Sequence, residues 1–207
     1  MQFLKHFLDL IFPPHCEVCR RLGPEIMCDN CIKNISYLQP AAFTHAVGIY
    51  EGPLKTAIHR FKFKKRSALA EPLGVLMAKY LSRHLDMHNM DMIIPVPLYE
   101  RRLRERGFNQ SELLGAIITK YYEVPTVSGL LSRVRDTHPQ FDLHPAERVK
   151  NIREAFALKG PHLIKGKNLL LVDDIFTTGA TVSECTRVLK TGGARSVHVL
   201  TLSRAIM

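Results

Sequence analysis

At 207 residues and 46% hydrophobic, the chain can bury one full core and a small appendage but not two large domains. Its 29 Lys and Arg against 19 Asp and Glu leave a formal net charge of +10, which favours polyanionic partners such as nucleic acid or phosphorylated ligands. The opening MQFLKHFLDLIF is too short, and too interrupted by Lys5, His6 and Asp9, for a membrane span or a signal peptide, so a cytoplasmic protein is expected.

Phe3, Leu4, Phe7, Leu8 and Ile11 recur at helical spacing and predict an amphipathic helix packed on the body rather than a membrane-surface anchor. HCEVCRRLGPEIMCDNC follows, with Cys16 and Cys19 in one CxxC and Cys28 and Cys31 in another. Each CxxC folds as a knuckle that presents two thiolates to one metal, and two knuckles close a tetrahedral site with no open position. A structural Zn²⁺ is therefore expected, and its binding would supply folding free energy that so short a segment lacks. A disulfide pair or a redox CxxC is the alternative, disfavoured in a reducing compartment and by the second pair nearby. Cys185, alone in a helical pattern, reads as a buried core thiol. Pro40 closes the small module, giving an expected division into residues 1–40 and 41–207.

AAFTHAVGIY reads as a strand, PLKTAIHRFKF and SALAEPLGVLMAKYLSRHL as helices, and DMIIPVP as a short buried strand joined by a loop to the helix FNQSELLGAIITKYY. VPTVSGLL, AFALKG, NLLLVDDIF and SVHVLTL are further strand candidates, and TVSECTRVLKTGG is a helix ending at Gly192 and Gly193. Strands alternating with helices predict an α/β domain with a mostly parallel sheet covered on both faces.

In LLLVDDIFTTGATVSE, Leu169 to Val172 is expected to be a buried strand that leaves the sheet at Asp173 and Asp174, on the carboxyl edge where open α/β sheets bind ligands. Thr177, Thr178, Gly179, Ala180 and Thr181 then open a helix whose free N–H groups and hydroxyls can surround a phosphate. Two acids cannot face that phosphate, but they can accept hydrogen bonds from sugar hydroxyls or hold Mg²⁺ through water. The ligand so described is a ribose 5-phosphate. A helix start with ordinary Asp and Thr caps is the bland alternative.

LLLVDDIFTTGAT resembles the phosphoribosyl pyrophosphate (PRPP) motif of type I phosphoribosyltransferases. The paired CxxC, YEGPLKTAIHRFKFKKR, IIPVPLYERRLRERGFNQSELLG and RDTHPQFDLHPAERVKNIREAF narrow the resemblance to the ComF (ComFC) competence family. It implies a type I phosphoribosyltransferase fold behind a small zinc ribbon, with Asp173 and Asp174 on the ribose hydroxyls, directly or with Mg²⁺. Residues 177 to 181 would take the 5-phosphate, and Pro95, Val96, Pro97 and Leu98 would form the pyrophosphate loop. By the same resemblance the charged stretch from Arg133 to Arg153 occupies the place of a hood over PRPP. The family's link to natural transformation implies a role in DNA uptake or utilisation, single-stranded DNA as a partner, and other DNA-uptake proteins at the inner membrane as further partners. The resemblance leaves open an active transferase with an unknown acceptor, or a PRPP-sensing regulator.

RRLRERGFNQ is either a solvated basic face or a ligand contact, and beside the pyrophosphate loop Arg106 and Asn109, with Arg148 in the hood, are the candidate contacts. Arg101, Arg102 and Arg104 do not share one face, and pairing with Glu100 and Glu105 is expected for some. Lys55, Lys62, Lys64, Lys65 and Arg66, interleaved with Phe61 and Phe63, suit single-stranded nucleic acid, although Phe61 falls on an apolar face and is expected in the core. His138 and His144 titrate in the right range for acid or base work, but loop histidines are more often plain surface residues.

Overall fold

The computed structural model describes residues 13–136 and 152–206, so the helix expected over 1–12, and His138, His144 and Arg148, lie outside the described residues. After a short helix, α1 (Asp29–Lys33), come β1 (Thr44–Ile49), α2 (Gly52–Phe63), α3 (Ala70–His84), β2 (Met92–Pro95), α4 (Glu100–Arg106) and α5 (Gln110–Tyr122). Then follow β3 (Leu131–Arg133), β4 (Phe156–Leu158), β5 (Asn168–Phe176), α6 (Ala180–Thr191) and β6 (Ser196–Arg204). Strands β1, β6, β5 and β2 form one sheet in that order, all parallel, while β3 and β4 pair antiparallel as a separate ribbon.

Leu169 to Val172 are all fully buried, because a central parallel strand is covered on both faces. Leu170 and Val172 pack with Leu54, Ile58, Phe61, Leu73 and Ile118 from α2, α3 and α5. Leu169 and Leu171 point the other way, onto Val182, Cys185 and Leu189 of α6 and Phe156 of β4. Each such aliphatic chain contributes about 1.5–3 kcal/mol on leaving water, so this strand anchors both layers. Helix α2 forms because Leu54, Ile58 and Phe61 recur on one side and Pro53 suits its first turn, while Arg60 and Lys62 complement the dipole at its end.

Three expectations are corrected. VPTVSGLL is not a continuous strand: it meets β2 through the single bridge Ile93–Thr126, and pairing resumes only at Leu131. Pro125 has no N–H to donate, and Gly129, at φ +82°, turns the chain away from the sheet. Second, β5 does not end at its acids. Its register runs on through Asp173 opposite Thr201 to Phe176 opposite Arg204. What ends beside the acids is β2, whose last partner is Val172, so one side of β5 opens there. Third, residues 100–106 form a helix, stabilised by pairing of Arg104 with Glu100 and of Arg101 with Glu105 at 3.9 Å.

Candidate functional site

The four N-terminal cysteine sulfurs lie within 4.8 Å of one another. Cys16 Sγ is 3.8 Å from Cys31 Sγ, and Cys19 Sγ is 3.6 Å from Cys28 Sγ. Tetrahedral zinc with Zn–S of about 2.3 Å requires sulfurs roughly 3.8 Å apart, so the donor set fits Zn²⁺. The amides of Val18 and Cys28 donate to Cys16 Sγ at 3.3 and 3.4 Å. Burial alone would raise the Cys16 thiol, but these amide bonds and that of Cys19 outweigh it and lower its pKa to about 6. Burial and the neighbouring sulfurs push Cys31 well up, which is how clustered thiols behave before a metal takes their protons. Cys16, Cys28 and Cys31 share a buried cluster with Leu54, Ile58 and Phe61, and Arg60 donates to the Glu17 carbonyl, so the cysteine segment is seated on α2.

Where β2 stops, a cleft opens that gathers residues distant in sequence. Val96, Pro97 and Leu98 line it from the loop after β2, Arg102 and Arg106 from α4, and Gln110 and Ser111 from the start of α5. Asp173, Asp174, Thr177 and Thr181 line it from β5 and its loop, joined by Lys62 of α2 and Arg133 of β3. Pro95 is buried in β2. Gly179 and Ala180 border a small adjoining cavity of about 20 Å³ with Thr177 and Thr181, and Thr178 Oγ1 accepts from the Ala180 N–H at 3.4 Å. Gly179 is demanded twice over: its φ is +78°, and a Cβ there would lie 2.6 Å from Phe176 Cζ.

The acids are held by three elements. Asp173 Oδ1 accepts from Ser111 Oγ at 3.3 Å and from the Asp174 N–H at 2.9 Å. Asp174 is buried and pairs with Lys62, Nζ to Oδ1, at 2.7 Å. Asp173 is half-buried, and burial of its carboxyl first, and the charge of Asp174 second, push its pKa up to about 7, against the pull of Lys62. Arg106 is drawn down by burial and held up by Asp174, donates to Gln110 Oε1 at 2.7 Å, and lies 5.4 Å over the Phe63 ring.

Other candidates fall elsewhere. The Asn109 side chain is buried and turned inward: Oδ1 caps α5 by accepting from the Ser111 N–H at 3.0 Å, and Nδ2 donates to the Val96 carbonyl at 3.1 Å. It therefore fixes the loop after β2 from behind. Lys55, Lys64, Lys65 and Arg66 are exposed with His59 and with Phe63, which is 52% exposed, whereas Phe61 is fully buried. Arg66 reaches Glu17 at 3.6 Å. Lys62, grouped with those lysines in sequence, is turned instead into the cleft. It stands eight residues after Leu54 and four after Ile58, so a lysine on the buried stripe was the legible signal. Ser111, Gln110 and Arg133 carried no such signal.

Residues 73–205 match the family model of the phosphoribosyl transferase domain. The chain is 34% identical to DNA utilization protein YhgH of Salmonella typhimurium, over 88% of this chain and 80% of the relative. It is 30% identical to competence protein F of Haemophilus influenzae, over 93% of this chain and 85% of that one. Competence protein ComFC of Streptococcus pneumoniae is 27% identical over 92% and 80% of the two chains. Among the described residues no helix is long and apolar enough to cross a membrane. The chain belongs to the phosphoribosyl transferase domain family, in the branch that holds competence protein F, ComFC and the DNA utilization protein YhgH.

Proposed function

We propose that the cleft binds PRPP and that the protein serves the handling of incoming DNA, contacting single strands through the exposed basic residues of α2 and of the turn that follows it. The observation that carries the reading is the meeting of Asp173, Asp174, Thr177 and Thr181 with Val96, Pro97 and Leu98 in one cleft, beside Lys62, Arg102 and Arg106. Acceptors for a diol, donors for a phosphate and cations for a pyrophosphate are the three parts such a ligand needs. The acids accept the ribose hydroxyls, the 177–181 loop takes the 5-phosphate, and the loop at 95–98 faces the pyrophosphate. The names of the relatives, competence protein F and DNA utilization protein, support the cellular role. For DNA, Lys64 and Lys65 directly follow exposed Phe63 and Lys55 is exposed earlier on α2, a cationic surface with a ring on which a base can stack. The chain acts in the cytoplasm, with Zn²⁺ structural in the cysteine module and Mg²⁺ accompanying PRPP.

Calorimetric titration with PRPP and Mg²⁺ tests the cleft: binding is expected, and its absence refutes the reading. Affinity for a single-stranded oligonucleotide should fall steeply with salt, and a flat or absent signal refutes the DNA contact.

One observation favours a second reading, an active transferase. Asp173, with its pKa near 7, can take the proton that a nitrogen nucleophile loses as it bonds to the ribosyl carbon and pyrophosphate departs. Pyrophosphate release that depends on one base or nucleotide would support turnover, and release independent of every acceptor would refute it.

A further inference from the structure

Lys62 of α2 and Asp174 of β5 line the same cleft, and their side chains are only 11% and 9% exposed and meet at 2.7 Å. A lysine on the buried stripe of α2 is costly to desolvate, and its charge is compensated here by the ion pair with Asp174 and by the nearby charge of Asp173. The partner is one of two adjacent acids at the sugar end of the cleft. A magnesium ion bound to Asp174 would sit about 2.1 Å from a carboxylate oxygen. It would then lie within a few ångströms of an ammonium that the fold holds in place, in a cleft that Arg106 also lines. Adjacent carboxylates invite a divalent cation, but this pair already has its cation. The acids therefore fit Mg²⁺ poorly.

We propose that Lys62 is the built-in counter-cation of the acidic pair, keeping divalent ions off Asp173 and Asp174 so that ribose hydroxyls meet the carboxylates directly. Magnesium then enters only on the ligand's own pyrophosphate. The proposal rests on the assignment of the cleft to a ribosyl phosphate, and it makes Lys62 a positioning residue of the cleft rather than part of the DNA face. Lysine suits the task because its ammonium is a compact point charge that can stand directly against a carboxylate oxygen, as it does here at 2.7 Å.

Two measurements on the full chain with its zinc in place test this. In the first, Mn²⁺ is titrated without any nucleotide and free ion is read by electron paramagnetic resonance. Wild-type should bind no tighter than millimolar, Lys62→Met at least about ten-fold tighter, and Lys62→Met with Asp174→Asn should lose the gain. Equal affinity of wild-type and Lys62→Met overturns the proposal. Should Lys62→Met fail to melt cooperatively, the second measurement decides with wild-type alone. Ribose 5-phosphate, which has no pyrophosphate, is titrated by calorimetry in magnesium-free buffer and again with Mg²⁺. Affinities within two-fold of each other are expected, and binding that requires Mg²⁺ overturns the proposal. If neither ribose 5-phosphate nor PRPP binds in either buffer, the ligand assignment of the cleft fails instead, while the Mn²⁺ comparison still decides whether Lys62 excludes a divalent ion.

Discussion

Asn109 donates from Nδ2 to the carbonyl of Val96 at 3.1 Å, tying the first turn of α5 to the loop that follows β2. The same side chain caps α5 through Ser111, whose hydroxyl holds Asp173. One buried amide thus links the two halves of the cleft. Asn109→Ala should cost about 1 kcal/mol for the lost cap, with a further loss from the released carbonyl. Asn109→Asp keeps the acceptor at the cap and removes the donor to Val96. Its PRPP affinity should fall several-fold with a smaller drop in stability, a separation that paired calorimetry and denaturation can read. Equal PRPP affinity in Asn109→Asp and wild-type would show that the loop needs no such tie.

Gly179→Ala places a side chain at φ +78° and against the Phe176 ring. The backbone strain alone is about 1–2 kcal/mol, and the contact must be relieved by moving either the ring or the loop. Thermal stability should fall, and PRPP affinity should drop at least about ten-fold. Adding Phe176→Leu should recover part of the stability, because it removes the contact and leaves the φ strain. No recovery would place the cost in the backbone alone.

Asp173 carries the pH dependence of the cleft. Its folded pKa, about 7, lies above the usual carboxylate value of 3.8, so the folded state holds this proton more tightly than the unfolded state does. The stability it contributes is fully present below about pH 4 and is lost as pH rises through 7. Asp173→Asn should therefore gain stability relative to wild-type between pH 5 and pH 8, measured as the difference in denaturation midpoint at each pH. A constant difference across that range contradicts the shift.

Removing zinc should destabilise more than the cysteine module. Cys16, Cys28 and Cys31 are buried with Leu54, Ile58 and Phe61, so loosening the knuckles exposes the underside of α2. Stripping the metal with a chelator, or Cys31→Ser, should lower the melting temperature by on the order of 10 °C. Metal analysis should find one zinc per chain. An unchanged melt would show that the module is held by its packing alone.

The α/β alternation was legible because β5 carries the unbroken aliphatic run Leu169 to Val172 and α2, α3, α5 and α6 carry helical periods. The acidic pair was legible as chemistry but misplaced in the strand, because a run of apolar residues marks burial and not the end of pairing. The unbroken burial of β5 is interrupted at Asp173 because β2 stops there, and the length of β2 is set by Pro95 and Pro97 in another segment. The α4 helix escaped notice because it buries nothing: it is held by exposed ion pairs and the position of its neighbours. Lys62 escaped for a related reason. Its partner lies 112 positions away, and spacing within α2 could show only that a charge had been placed on the wrong stripe.

The central claim is that the acids and the threonine loop form one ligand site with the cations of α4. Calorimetry with PRPP and Mg²⁺ on wild-type and on Asp173→Asn with Asp174→Asn tests it most directly, since the amides keep the shape and remove the charge. Wild-type should bind and the double variant, still folded by its melting curve, should lose at least about a hundred-fold in affinity. Retained affinity in the folded double variant would contradict the account.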